Sequence, residues 1–184
     1  MNFDYLKFKT IVGGSSVVFI NETDKKAYKL FKSILHSDKK ATGEVETYGG
    51  ISVSNDYFTK IFKTEIDAYE SIQNSDLLKK FTPAFFGKIT IKKVSDGEID
   101  ISDQFLLDCC YCLEYVPGAN QKLGWFDNSC FSTMYGIDYS EIEKEFYKLG
   151  VNFLIDAQII YSEKRLTIID FATTDFADFQ PHAD

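Results

Sequence analysis

Three charged side chains fall where the local pattern predicts apolar neighbours. Lys29 lies in Lys26-Ala27-Tyr28-Lys29-Leu30-Phe31, whose alternation puts Ala27, Lys29 and Phe31 on one face of a strand. An ammonium fixed there is a compact point charge suited to anionic oxygens. Glu65 lies in Phe62-Lys63-Thr64-Glu65-Ile66-Asp67-Ala68-Tyr69, where helical spacing sets it on a stripe with Phe62, Ile66 and Tyr69, and Ile72 close by. A carboxylate on a core-facing stripe needs a partner. Glu70 falls roughly 140° around the helix from Glu65, on the solvent side. Asp170 follows Ile168-Ile169 and precedes Phe171, and Asp156 sits in Leu154-Ile155-Asp156-Ala157-Gln158. Gly13-Gly14-Ser15-Ser16 would let backbone N–H groups come close to anionic oxygens. Each also has a plainer reading by itself: a hairpin turn at Gly13–Ser16, a solvated strand lysine, and turn residues at Asp156 and Asp170.

The elements needed to position these groups are legible along the chain. Residues 4–31 read as a meander of three strands, with turns at 13–16 and 21–24. Residues 43–54 read as an exposed hairpin about Gly49-Gly50, or as a loop. A helix is predicted over 58–74, a strand over 85–91, a turn at Asp96-Gly97, and a buried strand from Phe105 to Val116 that stops at Pro117-Gly118. A second amphipathic helix over 139–150 carries Ile142, Phe146 and Leu149 on one face and ends at Gly150. Residues 151–155 and 158–161 read as extended, and Leu166–Phe171 as the last strand. The class is α+β.

With 184 residues and 45% hydrophobic content, the chain can bury one core or two small lobes. The 17 Phe and 11 Tyr argue against disorder. A net charge of -8, with Arg165 the one arginine and no basic run, argues against a nucleic-acid partner. Cys109, Cys110 and Cys112 crowd one apolar run, which suits buried thiols in a reducing compartment rather than disulfides or a zinc site. No apolar run is long enough for a membrane span, and the N-terminus lacks a charged-then-apolar leader. The expectation is a protein that folds in a cytosol without a cleaved signal.

The order of these features (strand, glycine turn, strand, strand with lysine, helix with glutamate, two strands, Pro-Gly break, helix, loop with Asp, Ile-Ile-Asp-Phe) resembles the protein-kinase superfamily from about residue 5 to 172. The resemblance implies an N-lobe over 1–116 and a much reduced C-lobe over 117–184. It implies that Gly13, Gly14, Ser15 and Ser16 cover the phosphates of ATP, that Lys29 meets the α- and β-phosphates, and that Glu65 pairs with Lys29. Leu113-Glu114-Tyr115-Val116-Pro117-Gly118 resembles the hinge, where backbone groups of Glu114 and Val116 would bond the adenine edge and Leu113 would stand as gatekeeper. Asp170 resembles the Asp of D-F-G that holds Mg2+, with Ala172 in place of the Gly. Asp156 resembles the catalytic carboxylate that takes the acceptor's proton, and Gln158 would stand in for the metal-binding Asn. The His and Arg of H-R-D are missing.

Only twelve residues follow Ala172, which leaves no room for an activation segment. The chain is therefore similar to the very small kinase-like effectors that some bacteria inject into host cells by a route needing no cleaved signal. The implied activity is transfer of the γ-phosphate of ATP to a protein hydroxyl, Ser/Thr ahead of Tyr, on a host protein, with the 43–54 hairpin as a candidate for partner recognition. Two other readings stand beside it. One is a pseudokinase that keeps the fold and the nucleotide but not the chemistry. The other, unrelated to kinases, is a small acidic immunity-type protein binding a basic toxin, which the charge and aromatics also suit.

Overall fold

A turn at Asp4 takes up the start of the first predicted strand, leaving Lys9–Val12 extended and a separate short strand, Asn2–Asp4, before it. The Asp4 carboxylate accepts from the N–H of Leu6 at 3.0 Å and of Gly97 at 3.2 Å, and its carbonyl accepts from Lys7 N–H at 2.9 Å. An Asp that bonds the backbone two residues on favours a turn over continued extension. The computed structural model describes residues 1–33, 47–48, 51–52, 55–152, 154, 157–162 and 164–173, with the backbone alone at 47–48 and 51–52.

In chain order the strands and helices are β1 (Asn2–Asp4), β2 (Lys9–Val12), β3 (Ser16–Asn21), β4 (Lys26–Lys32), β5 (Thr47–Tyr48), β6 (Ile51–Ser52), α1 (Asn55–Ile72), β7 (Phe85–Ile89), β8 (Lys93–Asp96), β9 (Ile99–Asp100), β10 (Phe105–Glu114), β11 (Ala119–Lys122), α2 (Ser129–Tyr135), α3 (Tyr139–Lys148), β12 (Gln158–Tyr161) and β13 (Leu166–Ile169). The architecture is mixed α+β. No helix among the described residues is long and apolar enough to cross a membrane. The hairpin predicted over 43–54 lies mostly outside the described residues, and its described part is an antiparallel ladder pairing Thr47 with Ser52 and Tyr48 with Ile51.

The chain divides into two compact units. The first takes Met1–Lys63 and Phe86–Tyr115, and the second Thr64–Phe85 and the described part of Val116–Ala177. The first unit is built on a five-stranded sheet of order β2-β3-β4-β10-β7. One of its faces buries Phe3, Val17, Phe19, Tyr28, Leu30, Val94, Cys110 and Cys112 in a single cluster. The Phe3 ring stacks on Phe19 at 4.6 Å, which anchors β1 and its parallel partner β8 over the sheet. The other face receives the start of α1: Phe62 meets Phe31 edge-on at 5.9 Å and lies near-parallel to Tyr111 at 6.3 Å.

The second unit carries a three-stranded antiparallel sheet, β11-β12-β13, with α2 and α3. Its core is aromatic: Phe81 meets Phe131 at 5.5 Å, and Phe146 meets Phe171 at 5.4 Å. Helix α3 begins at Asp138, whose carboxylate accepts from Ser140 N–H at 2.8 Å. It ends as a Schellman motif. Gly150 takes φ 77°, its N–H donates to Tyr147 O, and Val151 N–H donates to Phe146 O, both at 3.0 Å. Two elements, β11 and α2, fill a stretch to which the sequence assigns nothing. Of the extended run expected over 151–155, the described part forms only a bridge between Val151 and Thr173.

Candidate functional site

Gly13, Gly14, Ser15 and Ser16 connect β2 to β3 in a turn closed by backbone bonds. Gly13 N–H donates to Ser16 O and Lys32 N–H donates to Ser15 O, both at 2.9 Å. Lys29 sits mid-strand on β4, paired with Val18 on one side and Tyr111 on the other. It is half-buried, and its Nζ lies 5.6 Å from the centre of the Phe31 ring on the same strand face. The alternation along β4 thus holds, and Lys29 shares its face with Phe31.

Glu114 ends β10 opposite Lys26, and the next N–H, that of Tyr115, donates to Lys25 O at 2.8 Å. Val116 is buried at the start of the second unit. Glu114 and Val116 therefore belong to different compact units.

Glu65, Tyr69 and Asp170 come together in the second unit. Glu65 is 7% exposed on α1, while Glu70 is exposed, as the helical spacing requires. Ile66 is only half-buried, and Thr64 and Ala68 are buried instead, so the covered face is broader than the predicted stripe. Tyr69, one helical turn beyond Glu65, is fully buried. Its ring lies nearly parallel to Phe85 at 5.6 Å and tilted against Phe171 at 4.7 Å. Burial, chiefly, holds the Tyr69 phenol well above its usual pKa, and the carboxylates of Asp170 and then Glu65 push the same way. The nearby backbone amide of Asp170 acts in the opposite direction, to a smaller extent. One buried hydroxyl thus feels both carboxylates.

Asp170 follows the end of β13 with φ 58°, in the left-handed region. For a residue with a Cβ this conformation costs roughly 1–2 kcal/mol, least for Asn and Asp, whose short polar side chains can bond locally. Strain of this kind persists only where the surroundings fix it. Ile168 N–H donates to Phe81 O at 2.6 Å just before it, and Phe171 is buried just after it.

Gln158 opens β12, opposite Ile169, and its Oε1 accepts from Asn120 Nδ2 at 2.6 Å. Asp156 lies outside the described residues. No group of three or more His, Cys, Asp or Glu side chains gathers among the described residues. Mg2+ is usually held by one or two carboxylates together with phosphate and water oxygens, so the half-exposed Asp170 carboxylate is a donor of a fitting kind. The single arginine, Arg165, is used structurally: its Nη2 donates to Thr82 O at 3.2 Å.

Tyr69 and Asn120 are the residues sequence reasoning passed over. Tyr69 stands four places after Glu65, which is a signal of proximity, but a tyrosine on an apolar stripe reads as core. Perturbed groups occur elsewhere without forming a site. Tyr28 is pushed up to about 12, chiefly by burial and then by Cys112, within the core of the first unit. The site reading therefore rests on position and on the Asp170 backbone together, not on a shifted group alone.

No family model matches the chain, and no curated protein and no solved structure matches it.

Proposed function

We propose that the protein is a minimal phosphotransferase of kinase-like build, transferring the γ-phosphate of ATP to a hydroxyl on a protein. The observation that carries this reading is Asp170: a carboxylate in a left-handed backbone at the end of a strand, followed by a buried Phe171 that packs on the helix of Glu65. Strained backbone under a polar side chain is a recurrent property of sites that bind or react. The order of elements supports the same reading. A glycine turn, a strand with half-buried Lys29, a helix with buried Glu65, further strands that include β7 and β10 of the same sheet, and an Asp-Phe after β13 follow in sequence.

On this reading Lys29 sets a fixed positive charge against the phosphates, and Glu65 orients it. Asp170 would hold Mg2+, with Gln158 as a second oxygen donor. The metal, when bound, neutralises charge on the phosphate oxygens. The backbone at Glu114 and Val116 bonds the base. Asp156 orients the acceptor hydroxyl and takes its proton as the acceptor oxygen bonds the γ-phosphorus and the bond to the ADP oxygen breaks.

The test is transfer from labelled ATP to a broad set of proteins with Mg2+ or Mn2+ present. The reading expects label transfer by wild type and its loss in Lys29→Ala and Asp170→Ala. Transfer that both variants retain, or no transfer by wild type, ends it. A second reading, a nucleotide-binding module without chemistry, is favoured by the bond from Asn120 to Gln158, which already engages the amide oxygen proposed as a metal donor. It expects ATP to stabilise wild type without any transfer.

A further inference from the structure

Strand β2 forms one edge of the five-stranded sheet, where it pairs with β3. The turn beyond it fixes the phase of that ladder. Gly13 N–H donates to Ser16 O, so these two form a bonded pair, and bonded pairs alternate with unbonded ones along an antiparallel ladder. Lys9 and Ile11 therefore direct their backbone groups to Ile20 and Val18. Thr10 and Val12 turn theirs outward, and no strand among the described residues pairs with that side.

An open edge is a template for another strand, and edges are ordinarily blunted by a central charge, a proline or a bulge. The strand at the opposite edge, β7, is interrupted midway at Gly87, whose φ of 95° departs from extended geometry. β2 has no proline, and its register with β3 is unbroken. Ile11 is 56% exposed and Val12 57%. The one charge of the strand, Lys9, stands at its start and is matched by Glu22 at 3.1 Å. The edge is thus apolar and locally neutral on a chain of net charge -8. A charged partner finds no counter-charge there, whereas an identical neutral edge meets it without repulsion at the contact.

We propose that β2 pairs with β2 of a second copy of this chain, antiparallel across a two-fold axis at Ile11. The outward N–H and C=O of Thr10 then exchange bonds with those of Val12 in the copy, and the symmetry repeats the pair. Ile11 meets Ile11 of the copy in an unbonded pair, where side chains approach most closely. Lys9 falls opposite Gly13. An axis at Lys9 would set two ammonium groups face to face, and an axis at Thr10 would put each Ile11 against a Lys9. Charge and apolar match together therefore select one register. The contact is small, so the dimer is weak and depends on concentration. It is independent of the proposed phosphotransfer.

The test uses the full chain as wild type, Ile11→Lys and Val12→Pro. Sedimentation equilibrium over a concentration series should show wild type passing reversibly from one chain to two. Added salt should tighten the dimer, because it screens the repulsion between two copies of charge -8. Ile11→Lys places like charges on the axis and should weaken the dimer about tenfold. Val12→Pro removes an outward donor that no β2–β3 bond uses, so it should abolish the dimer while the monomer melts close to wild type. Amide hydrogen exchange supplies the second reading. Thr10 and Val12 should exchange about tenfold more slowly in concentrated than in dilute wild type, with Ile11, bonded to β3, the same in both. Wild type that stays monomeric throughout, or a dimer that both variants keep, overturns the proposal. Slow exchange at Thr10 and Val12 in dilute protein also overturns it, since a segment of the same chain would then cover the strand. A dimer that salt dissolves does so too, because it would rest on a charged contact elsewhere.

Discussion

Asn120 donates its side-chain amide to Gln158 Oε1 at 2.6 Å, across the β11–β12 ladder. A metal reaching for that oxygen must share it with a short hydrogen bond. Asp170, by contrast, is half-exposed and takes a left-handed backbone at the end of β13. Asp170→Ala should therefore abolish the Mg2+-dependent part of ATP binding, whereas Gln158→Ala should weaken it by no more than about threefold. Isothermal titration with and without Mg2+ measures both, and equal losses would make Gln158 a full ligand.

Lys29 separates nucleotide binding from mere fold. Added ATP and Mg2+ should stabilise wild type by about 2.7 kcal/mol at a hundredfold excess over Kd. Lys29→Ala should unfold at nearly the same temperature as wild type without ligand, because the side chain is only half-buried, but should gain little from ATP. A thermal-shift series reads both quantities. An ATP shift of full size in Lys29→Ala removes the lysine from the site.

Gly118 leaves no space for a side chain. A Cβ there would lie 2.7 Å from Tyr161 O and 2.8 Å from Ile160 Cγ2, at the point where the chain enters β11. Gly118→Ala should cost about 1–3 kcal/mol, since backbone on both sides must move. Urea unfolding gives the value, and a cost below about 0.5 kcal/mol would show that the strands part easily.

The thiols of Cys109, Cys110 and Cys112 are all pushed above their usual pKa, in each case first by burial. Thiols, not thiolates, prevail, and reagents reach them poorly. Native protein at neutral pH should take one alkyl group rapidly, on the partly exposed Cys130, and four only after unfolding. Mass spectrometry of the labelled chain tells the cases apart, and fast labelling of the β10 thiols would mean that the strand opens readily.

Acid should loosen the second unit from the ends of α3. The backbone N–H of Ser140 holds the Asp138 carboxyl below its ordinary 3.8, and the Ser75 hydroxyl, then Lys148, holds Glu145 below its ordinary 4.5. Because the folded state favours the ionised forms, their stabilisation is complete above those ordinary values and is lost as pH falls through the lowered ones. The melting temperature of wild type should thus exceed that of Asp138→Ala at neutral pH, with the gap narrowing below about pH 4. A gap that stays constant across this range would mean that Asp138 caps α3 without regard to its charge.

Much of the local structure was legible. Alternation around Lys29 and the stripe of Phe62, Glu65 and Tyr69 follow from the periods of strand and helix, and both are found. The stop at Gly150 is written in the chain because a left-handed residue must end that helix. The break at Asp4 was harder: its partner Gly97 is distant in sequence, and only the pairing of β1 with β8 brings it near. β11 was hidden because Ala119–Lys122 has no apolar alternation and is a strand only through its ladder with β12.

Sequence by itself determined which residues carry charge into apolar stretches, where the strand of Lys29, the long strand β10 and the helices α1 and α3 run, and that the net charge is -8. These are local or summed properties, and they need no knowledge of what lies opposite. Tertiary structure alone decided that Glu65 and Asp170, more than a hundred residues apart, act on the same buried phenol of Tyr69. It decided too that Gln158 answers to Asn120, and that Asp170 takes a left-handed backbone. Burial, and the contacts that hold a strained residue in place, depend on segments remote in the chain, and no spacing within one segment records them.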